Sequence, residues 1–416
     1  MLIMTTWKTR PNHQELAKPP GRSSSETPSA TRAHRWVATT VAVGLAVVSI
    51  PAVGVGAVTT GGTSRTVESG ESIQAVIDAS PAGTRIRIKA GTYREQLLVT
   101  KDRITLDADA GTVLLPPATL TSNGCTGMAV LGRVATAPPA NAGICVLGDV
   151  TFGAWEAIFQ HKPVTETKRA VTGVTVSGFE IRGFGVGIAL AGAPKALVEK
   201  NYIVSGGQLA LVTSAAPNST IRGNQLINPI QSPSVIGLCL EGSDNSSVTR
   251  NEISGFIFGV CLASSQVLVA GNRLLDNHTG LYINPRYEDI EVRHNVIDRN
   301  NRVEPGAPQL RTGTGVVIEG ARDVRVFGND ITNNTSDNLA KGFPFGAAGI
   351  VIRDTSPTVV ASKISIRLNR ITNNGLDPNG NPYPGAFDVI NLSSGSDISV
   401  EHNRCASSRP AALCES

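Results

Sequence analysis

The sequence predicts an all-β solenoid of three parallel sheets, wound right-handed and closed at its N-terminal end by a short helix. Two columns of residues predict it. Eight asparagines, Asn201, Asn224, Asn251, Asn272, Asn295, Asn329, Asn369 and Asn403, recur at spacings of 23, 27, 21, 23, 34, 40 and 34 residues, each followed two residues later by a mostly apolar side chain. A glycine-led run recurs in step with them: Gly187-Ile-Ala-Leu, Gly237-Leu-Cys-Leu, Gly259-Val-Cys-Leu, Gly280-Leu-Tyr-Ile, Gly315-Val-Val-Ile and Gly349-Ile-Val-Ile. Between the columns, β-branched and aliphatic residues alternate over stretches that suit strands and are too short for helices. A unit of roughly 22 residues cannot bury its own apolar face, so it must stack on its neighbours.

Taken in chain order, residues 1–35 are polar, basic, rich in Pro, Ser and Thr and without periodicity, which predicts disorder. Trp36 to Val58 then runs 23 residues without a charge, long enough to span a bilayer. Its Ala, Gly and Val content and the small residues Val55-Gly-Ala57 also fit a signal peptide with a cleavage site. An uncleaved anchor, favoured by Arg32 and Arg35 on its inner flank, and a signal peptide with a long basic leader both stay open. Either one exports the repeat domain, secreted or at the cell surface. Ser72-Ile-Gln-Ala-Val-Ile-Asp-Ala reads as a capping helix with Ile73, Val76 and Ile77 on one face. Pro81-Ala-Gly stops it, and Arg85 to Glu95 opens the first coil. Repeats continue to Cys405, interrupted by an insertion over about 116–169, and 406–416 form a tail.

One clean copy runs Val267-Leu-Val, Gly271-Asn272-Arg-Leu-Leu, a polar stretch, then Gly280-Leu-Tyr-Ile283. It holds three short strands per coil: a pre-Asn strand, a post-Asn strand and a Gly strand. Strands stacked in register lie about 4.8 Å apart, and parallel crossovers are almost always right-handed. The Asn falls at the turn between the first two strands, where its amide can bond to backbone and to the Asn above and below. This pattern, from about Val67 to Cys405, resembles the right-handed parallel β-helix proteins of the pectin-lyase-like superfamily. It implies a right-handed parallel β-helix of about 10–12 coils. That fold hosts lyases, hydrolases, esterases, epimerases and non-enzymes, so function must be read from displayed residues.

Strict alternation sends the second and fourth residues of each Gly run inward and leaves the Gly, the third residue and the one after the fourth outward. The Gly column then leaves a low floor, where a chain-like ligand approaches the backbone. The middle column reads Cys239, Cys261, Tyr282, Val317, Val351 and then Asp388 or Val389. The third reads Glu241, Ala263, Asn284, Glu319, Arg353 and Asn391. In the enzymes of the family resembled, substrate lies on the Gly-type sheet, walled by entering loops. Here three successive loops, 298–314, 332–348 and 372–386, expand at one place in the coil and carry Phe343, Phe345 and Tyr383. Long loops on one face of a repeat protein usually mark its binding face; the alternative is that they only shield the sheet.

Glu319, Arg353 and Asp388 fall on consecutive coils and are the candidate catalytic set. Lyases and epimerases of uronic-acid polymers need a group that neutralises the sugar carboxylate and a base for the C5 proton. The blander alternative is a surface ion pair between Glu319 and Arg353, worth little. Tyr282, Asn284, Glu241, His278, Phe343, Phe345 and Tyr383 are the candidate substrate-binding residues, with His278 near Asp276 a weak acid/base candidate. Glu252 with Arg273, and Asp330 with Arg370, look like complementary cross-strand pairs.

Signatures of specific families are missing. Gly255-Phe-Ile-Phe-Gly259 and Gly91-Thr-Tyr-Arg-Glu95 resemble pectin methylesterase motifs, but Gly255 stands where the catalytic Asp belongs. Polygalacturonase motifs do not occur, and Asp377-Pro-Asn-Gly380 only faintly resembles the mannuronan-epimerase Asp-Pro-His-Asp. No His/Cys cluster has metal spacing, so no cofactor is implied with certainty and Ca²⁺ is kept as the one ion to test. Aromatic residues are 4%, which supplies few sugar-stacking platforms.

The net charge of +4 comes from the leader. Removing the six Lys or Arg and two acids of residues 1–57 from the totals of 37 and 33 leaves 31 basic and 31 acidic residues. That gives no electrostatic footprint for nucleic acid. Six cysteines in three sequence-local pairs suit an oxidising compartment. Cys125 with Cys145, and Cys405 with Cys414, are expected disulfides that pin irregular segments. Cys239 and Cys261 hold one position on successive coils, where a bridge or two stacked thiols fit equally. Two functions follow: a monomeric exported protein that binds, and could cleave or epimerise, an extracellular polysaccharide or cell-envelope glycan; or a non-catalytic adhesion or structural module.

Overall fold

The computed structural model describes residues 63–129, 139–156, 161–205, 207–229, 236–301, 313–335, 347–374, 376, 381 and 385–414. The leader and the 36–58 segment lie outside them. No helix among the described residues is long and apolar enough to cross a membrane.

Most coils contribute one strand to each of three parallel sheets. Twelve strands, from Ser64–Val67 to Ile398–Glu401, form the pre-Asn sheet; ten, from Gly91–Arg94 to Arg370–Thr372, form the post-Asn sheet. Eleven, from Leu97–Val99 to Ser408–Arg409, form the Gly sheet. The coil containing Asn272 shows why the sequence folds this way: Val267 and Val269, then Leu274, then Leu281 and Ile283, all point inward and are fully or almost fully buried. Burying such a side chain stabilises by about 1.5–3 kcal/mol, and every coil repeats it.

The capping helix runs Ile73–Ala79, with Ile73 and Ile77 buried against the first coil. Ser72 caps it, its Oγ accepting from Ala75 N at 3.2 Å. Glu95 accepts from the N–H groups of Ile73 and Gln74, while Lys101 Nζ donates to the carbonyls of Ile77, Asp78 and Ser80. Opposite charges thus sit at the two ends where the helix dipole favours them.

The predicted asparagine ladder is continuous from Asn201 to Asn403. Asn251 donates both its backbone N–H and its Nδ2 to Asn272 Oδ1, at 2.9 and 3.0 Å, and Asn272 does the same to Asn295. The second amide hydrogen reaches a strand carbonyl, as from Asn272 Nδ2 to Val248 O at 2.8 Å. A second, parallel ladder was not foreseen. It consists of Asn277, Asn300, Asn334 and Asn374 at the turn before the Gly strand, joined in the same two-bond manner.

This second ladder corrects the expected orientation of the glycine column. A Cβ on Gly280 would lie 2.7 Å from Gly315 O and Ile297 Cγ2 and 3.0 Å from Asn300 Nδ2. These glycines therefore face the coil interior, making room for the buried amides, and give the outer surface no low floor. The residue before each glycine, such as Phe258 in Phe258–Ala263, takes the outward position instead.

Cys125–Cys145 and Cys405–Cys414 are disulfides. Cys239 and Cys261 are paired in register as predicted, but they are free thiols and both buried, so the disulfide alternative for them is not realised. Hydrogen bonding to Cys261, followed by burial, holds the Cys239 thiol well above its usual pKa, which makes it unreactive.

Candidate functional site

The outward columns of the Gly sheet divide into two stretches. On the N-terminal side, Val186, Ala189, Leu209, Val212, Ile236, Cys239, Cys261 and Ala263 form an apolar surface outside the coil. An unprotected surface of this kind invites association, and here the insertion covers it. Cys125, Met128, Ala129 and Ala140 pack directly on it, and the antiparallel hairpin Asp149–Phe152 with Val164–Arg169 adds Val150, Phe152 and Val164. The Cys125–Cys145 bridge ties this cover to the sheet.

A buried polar latch fixes the other end of the cover. His161 Nε2 meets Glu241 Oε2 at 2.7 Å, and Ser214 Oγ donates to the same oxygen at 3.1 Å while accepting from Val164 N. Glu241 is only 8% exposed and His161 0%. The insertion therefore occupies the position at which Glu241 was expected to meet a ligand. Tyr287 lies beside this latch, and burial, then the charge of Glu241, pushes its phenol up. His161→Ala should loosen the cover without unwinding the coils, leaving the Glu241 carboxylate short of a partner. Labelling of Cys239 and Cys261 by a thiol reagent should then accelerate roughly ten-fold; an unchanged rate would mean the latch does not hold the cover.

Beyond the cover, the outer face carries Tyr282, Glu319 and Arg353. Glu319 and Arg353 are register partners on adjacent strands, Thr314–Glu319 and Ala348–Arg353, and Tyr282 lies on the strand before. Arg353 Nη2 donates to Glu319 Oε2 at 2.5 Å, and the Tyr282 hydroxyl donates to the same oxygen. Arg353 and Glu319 side chains are 28% and 13% exposed, a half-buried setting. Burial, reinforced by the Glu319 charge, holds the Tyr282 phenol far above its usual pKa, so it stays neutral and acts as a hydrogen-bond donor. For Arg353, burial works against the cation, but the Glu319 charge and hydrogen bond outweigh it and raise the pKa. Phe258 packs on Tyr282 with ring centroids 5.3 Å apart.

Asp388 is not part of this group. Phe387 pairs with Ala348 and Ile390 with Val351, which places Asp388 in the inward-facing glycine column and Ile390 in the middle column. There its Oδ1 accepts from the N–H and Nδ2 of Asn374, both at 3.1 Å, and its Oδ2 accepts from the N–H groups of Ala406 and Ser407. It ends the second ladder in place of one more asparagine. The same register puts Asn391 opposite Ile352 rather than in the third column.

Of the remaining candidates, Asn284 is wholly buried, its Nδ2 bonded to Leu262 O at 2.9 Å and to Cys261 Sγ. His278 is half-buried with Nδ1 3.3 Å from Thr279 Oγ1, while its expected neighbour Asp276 pairs with Arg299. Phe343, Phe345 and Tyr383 lie outside the described residues, as do most residues of the three loops. No group of three or more His, Cys, Asp or Glu residues among the described ones is arranged to hold a metal ion. Glu252–Arg273 and Asp330–Arg370 are ion pairs, at 3.2 and 2.6 Å. The sequence reading missed His161, which lies in a segment without a repeat. It also missed the second ladder, although Asn277, Asn300, Asn334 and Asn374 each stand five residues after a first-ladder asparagine.

A family model described as the right handed beta helix region matches residues 228–364. This chain is a right-handed parallel β-helix protein. Among solved structures it is similar to DFA-IIIase from Arthrobacter chlorophenolicus A6 in complex with GF2, with a TM-score of 0.51 and 12% identity over 80% of this chain and 92% of that one. It is also similar to the mannuronan C-5 epimerase AlgE4 A-module of Azotobacter vinelandii, with a TM-score of 0.47 and 16% identity over 82% and 99% of the two chains. The periplasmic alginate epimerase AlgG gives 0.47 and 12% over 81% and 83%. At these identities the likeness concerns the fold alone. No curated protein matches the sequence.

Proposed function

We propose that this β-helix protein binds an extracellular polysaccharide on the outer face of its Gly sheet, between the insertion and the last coils. The observation that carries the reading is the half-buried Tyr282–Glu319–Arg353 group, which presents a phenol, a carboxylate and a guanidinium on three successive coils. Coils spaced about 4.8 Å apart suit a chain of sugar residues lying along the solenoid axis. An aromatic ring beside charged hydrogen-bonding groups is the usual composition of a polar ligand site. Two disulfides suit the oxidising compartment in which such a glycan is met.

Binding without turnover is the form this geometry favours. With Asp388 turned inward, Glu319 is the carboxylate of the candidate set left on the face among the described residues, and it is held by both Tyr282 and Arg353. General acid/base work on a sugar needs two groups with separated proton affinities. The second reading, a uronan lyase or epimerase, keeps Arg353 to neutralise the sugar carboxylate and Tyr282 as proton donor. The full-length chain should be titrated with a panel of uronate and neutral polysaccharides, with and without Ca²⁺, while products are assayed for unsaturated ends and changed sugar stereochemistry. Saturable binding that Arg353→Ala weakens roughly ten-fold or more, without products, is expected. Products abolished by Tyr282→Phe would select the enzyme, and no binding to any glycan would overturn both readings.

A further inference from the structure

Several arginines on this solenoid are matched to a carboxylate on the neighbouring coil. Arg222 meets Glu199 at 2.7 Å, Arg325 meets Asp289 at 2.9 Å, and Arg370 meets Asp330 at 2.6 Å. Arg286 and Arg322 are not matched in this way. Both are exposed, and neither side chain makes an ion pair or hydrogen bond among the described residues. Arg322 stands opposite Glu288 in register, yet the two do not form an ion pair within 4 Å.

Their backbones are nevertheless held close together on adjacent coils. Arg286 N–H donates to Gly320 O at 2.9 Å, and Arg322 N–H donates to Tyr287 O at 3.0 Å, so they project from adjacent coils. Arg286 holds a φ of 74°, a left-handed conformation disfavoured for a long side chain. The two arginines, with Glu288, Gly320 and Thr358 to Val360, line one cavity of about 370 Å³, within the size range of ligand sites. Gly320 shapes it: at φ 51°, a Cβ there would meet Thr355 Oγ1 at 2.7 Å and Val359 Cγ1 at 2.8 Å, so only glycine lets the 355–359 turn approach. Thr355 Oγ1, beside that glycine, is a buried hydroxyl oxygen without a partner among the described residues.

Two cations one coil apart repel each other, and a shared anion relieves that repulsion. Guanidinium forks match the oxygens of carboxylate, sulfate and phosphate. We propose that this cavity is a binding site for the oxyanion group of an acidic saccharide, with Arg286 and Arg322 as its ligands and Glu288 as the group that limits its affinity. It lies around the corner from Glu319 and Arg353, where the same coils leave the Gly sheet, and it does not depend on the glycan reading of that face.

The test titrates the full-length chain at low ionic strength with inorganic sulfate, inorganic phosphate, a sulfated disaccharide and a glucuronate disaccharide, following heat or amide chemical shifts. Saturable binding of at least one probe is expected, weakened ten-fold or more in Arg286→Ala/Arg322→Ala and by added salt. Glu288→Gln should tighten it about three-fold. Preference for a disaccharide over the matching free ion identifies a glycan as the source; equal binding identifies a free anion. Absence of saturable binding for all four probes, or equal binding by the double variant, would overturn the proposal. Because Arg353→Ala reports on the sheet face and the double arginine variant on the corner, failure of one site is told apart from failure of the other.

Discussion

Asn272→Ala is expected to lower the unfolding free energy by about 5 kcal/mol. Asn272 accepts two hydrogen bonds from Asn251 and gives its amide hydrogens to Val248 O and Asn295 Oδ1, all between 2.8 and 3.0 Å, and the side chain is fully buried. Alanine leaves the Asn251 donors without an acceptor in a place that water does not reach, and each orphaned donor costs about 1–3 kcal/mol. Because a solenoid's stability is a sum over coils and their interfaces, the loss should also split the unfolding transition near the middle of the chain. Urea unfolding monitored by far-UV circular dichroism tests this. A shift of the midpoint corresponding to less than about 1 kcal/mol would show that the ladder is dispensable.

Asp388→Ala is expected to cost about 4 kcal/mol, concentrated in the last coils. The carboxylate accepts four N–H bonds that no neighbouring side chain could take over: two from Asn374, one from Ala406 and one from Ser407. Asp388→Asn keeps an oxygen for Asn374 but turns an amide toward the donors of Ala406 and Ser407, so about half of the loss should remain. Hydrogen exchange should rise in Arg370–Thr372 and Phe387–Asn391 and stay unchanged near Ile73–Ala79. Uniform protection in the variant would mean that Asp388 does not terminate the ladder.

What the sequence revealed follows from what repeats. The Asn column, the inward Leu281 and Ile283, the capping helix with Ile73 and Ile77, and the Glu319–Arg353 pair all stand at fixed register, and the structure places them accordingly. Asp388 was misplaced because the register sets it opposite Gly349 and not in the middle column, and the glycine column faces inward, as Gly259 and Val260 both do. That kink moves one whole column from surface to core. The insertion has no period, so nothing in its residues told which face Met128, Phe152 or His161 would cover. Glu241 looked displayed for the same reason, since burial by a distant segment leaves no mark on local spacing, whereas the Asn284 amide turns onto the preceding coil, to Leu262 O and Cys261 Sγ.

We propose Tyr282–Glu319–Arg353 as the ligand-facing group, with Asp388 part of the architecture. Side-by-side titration of Arg353→Ala and Asp388→Asn with the polysaccharide that the wild type binds tests it directly, at a temperature where both variants remain folded. Arg353→Ala is expected to lose ten-fold or more in affinity with little change in unfolding midpoint, and Asp388→Asn to bind as the wild type does while unfolding earlier. Intact binding in Arg353→Ala, together with lost binding in a folded Asp388→Asn, would contradict it.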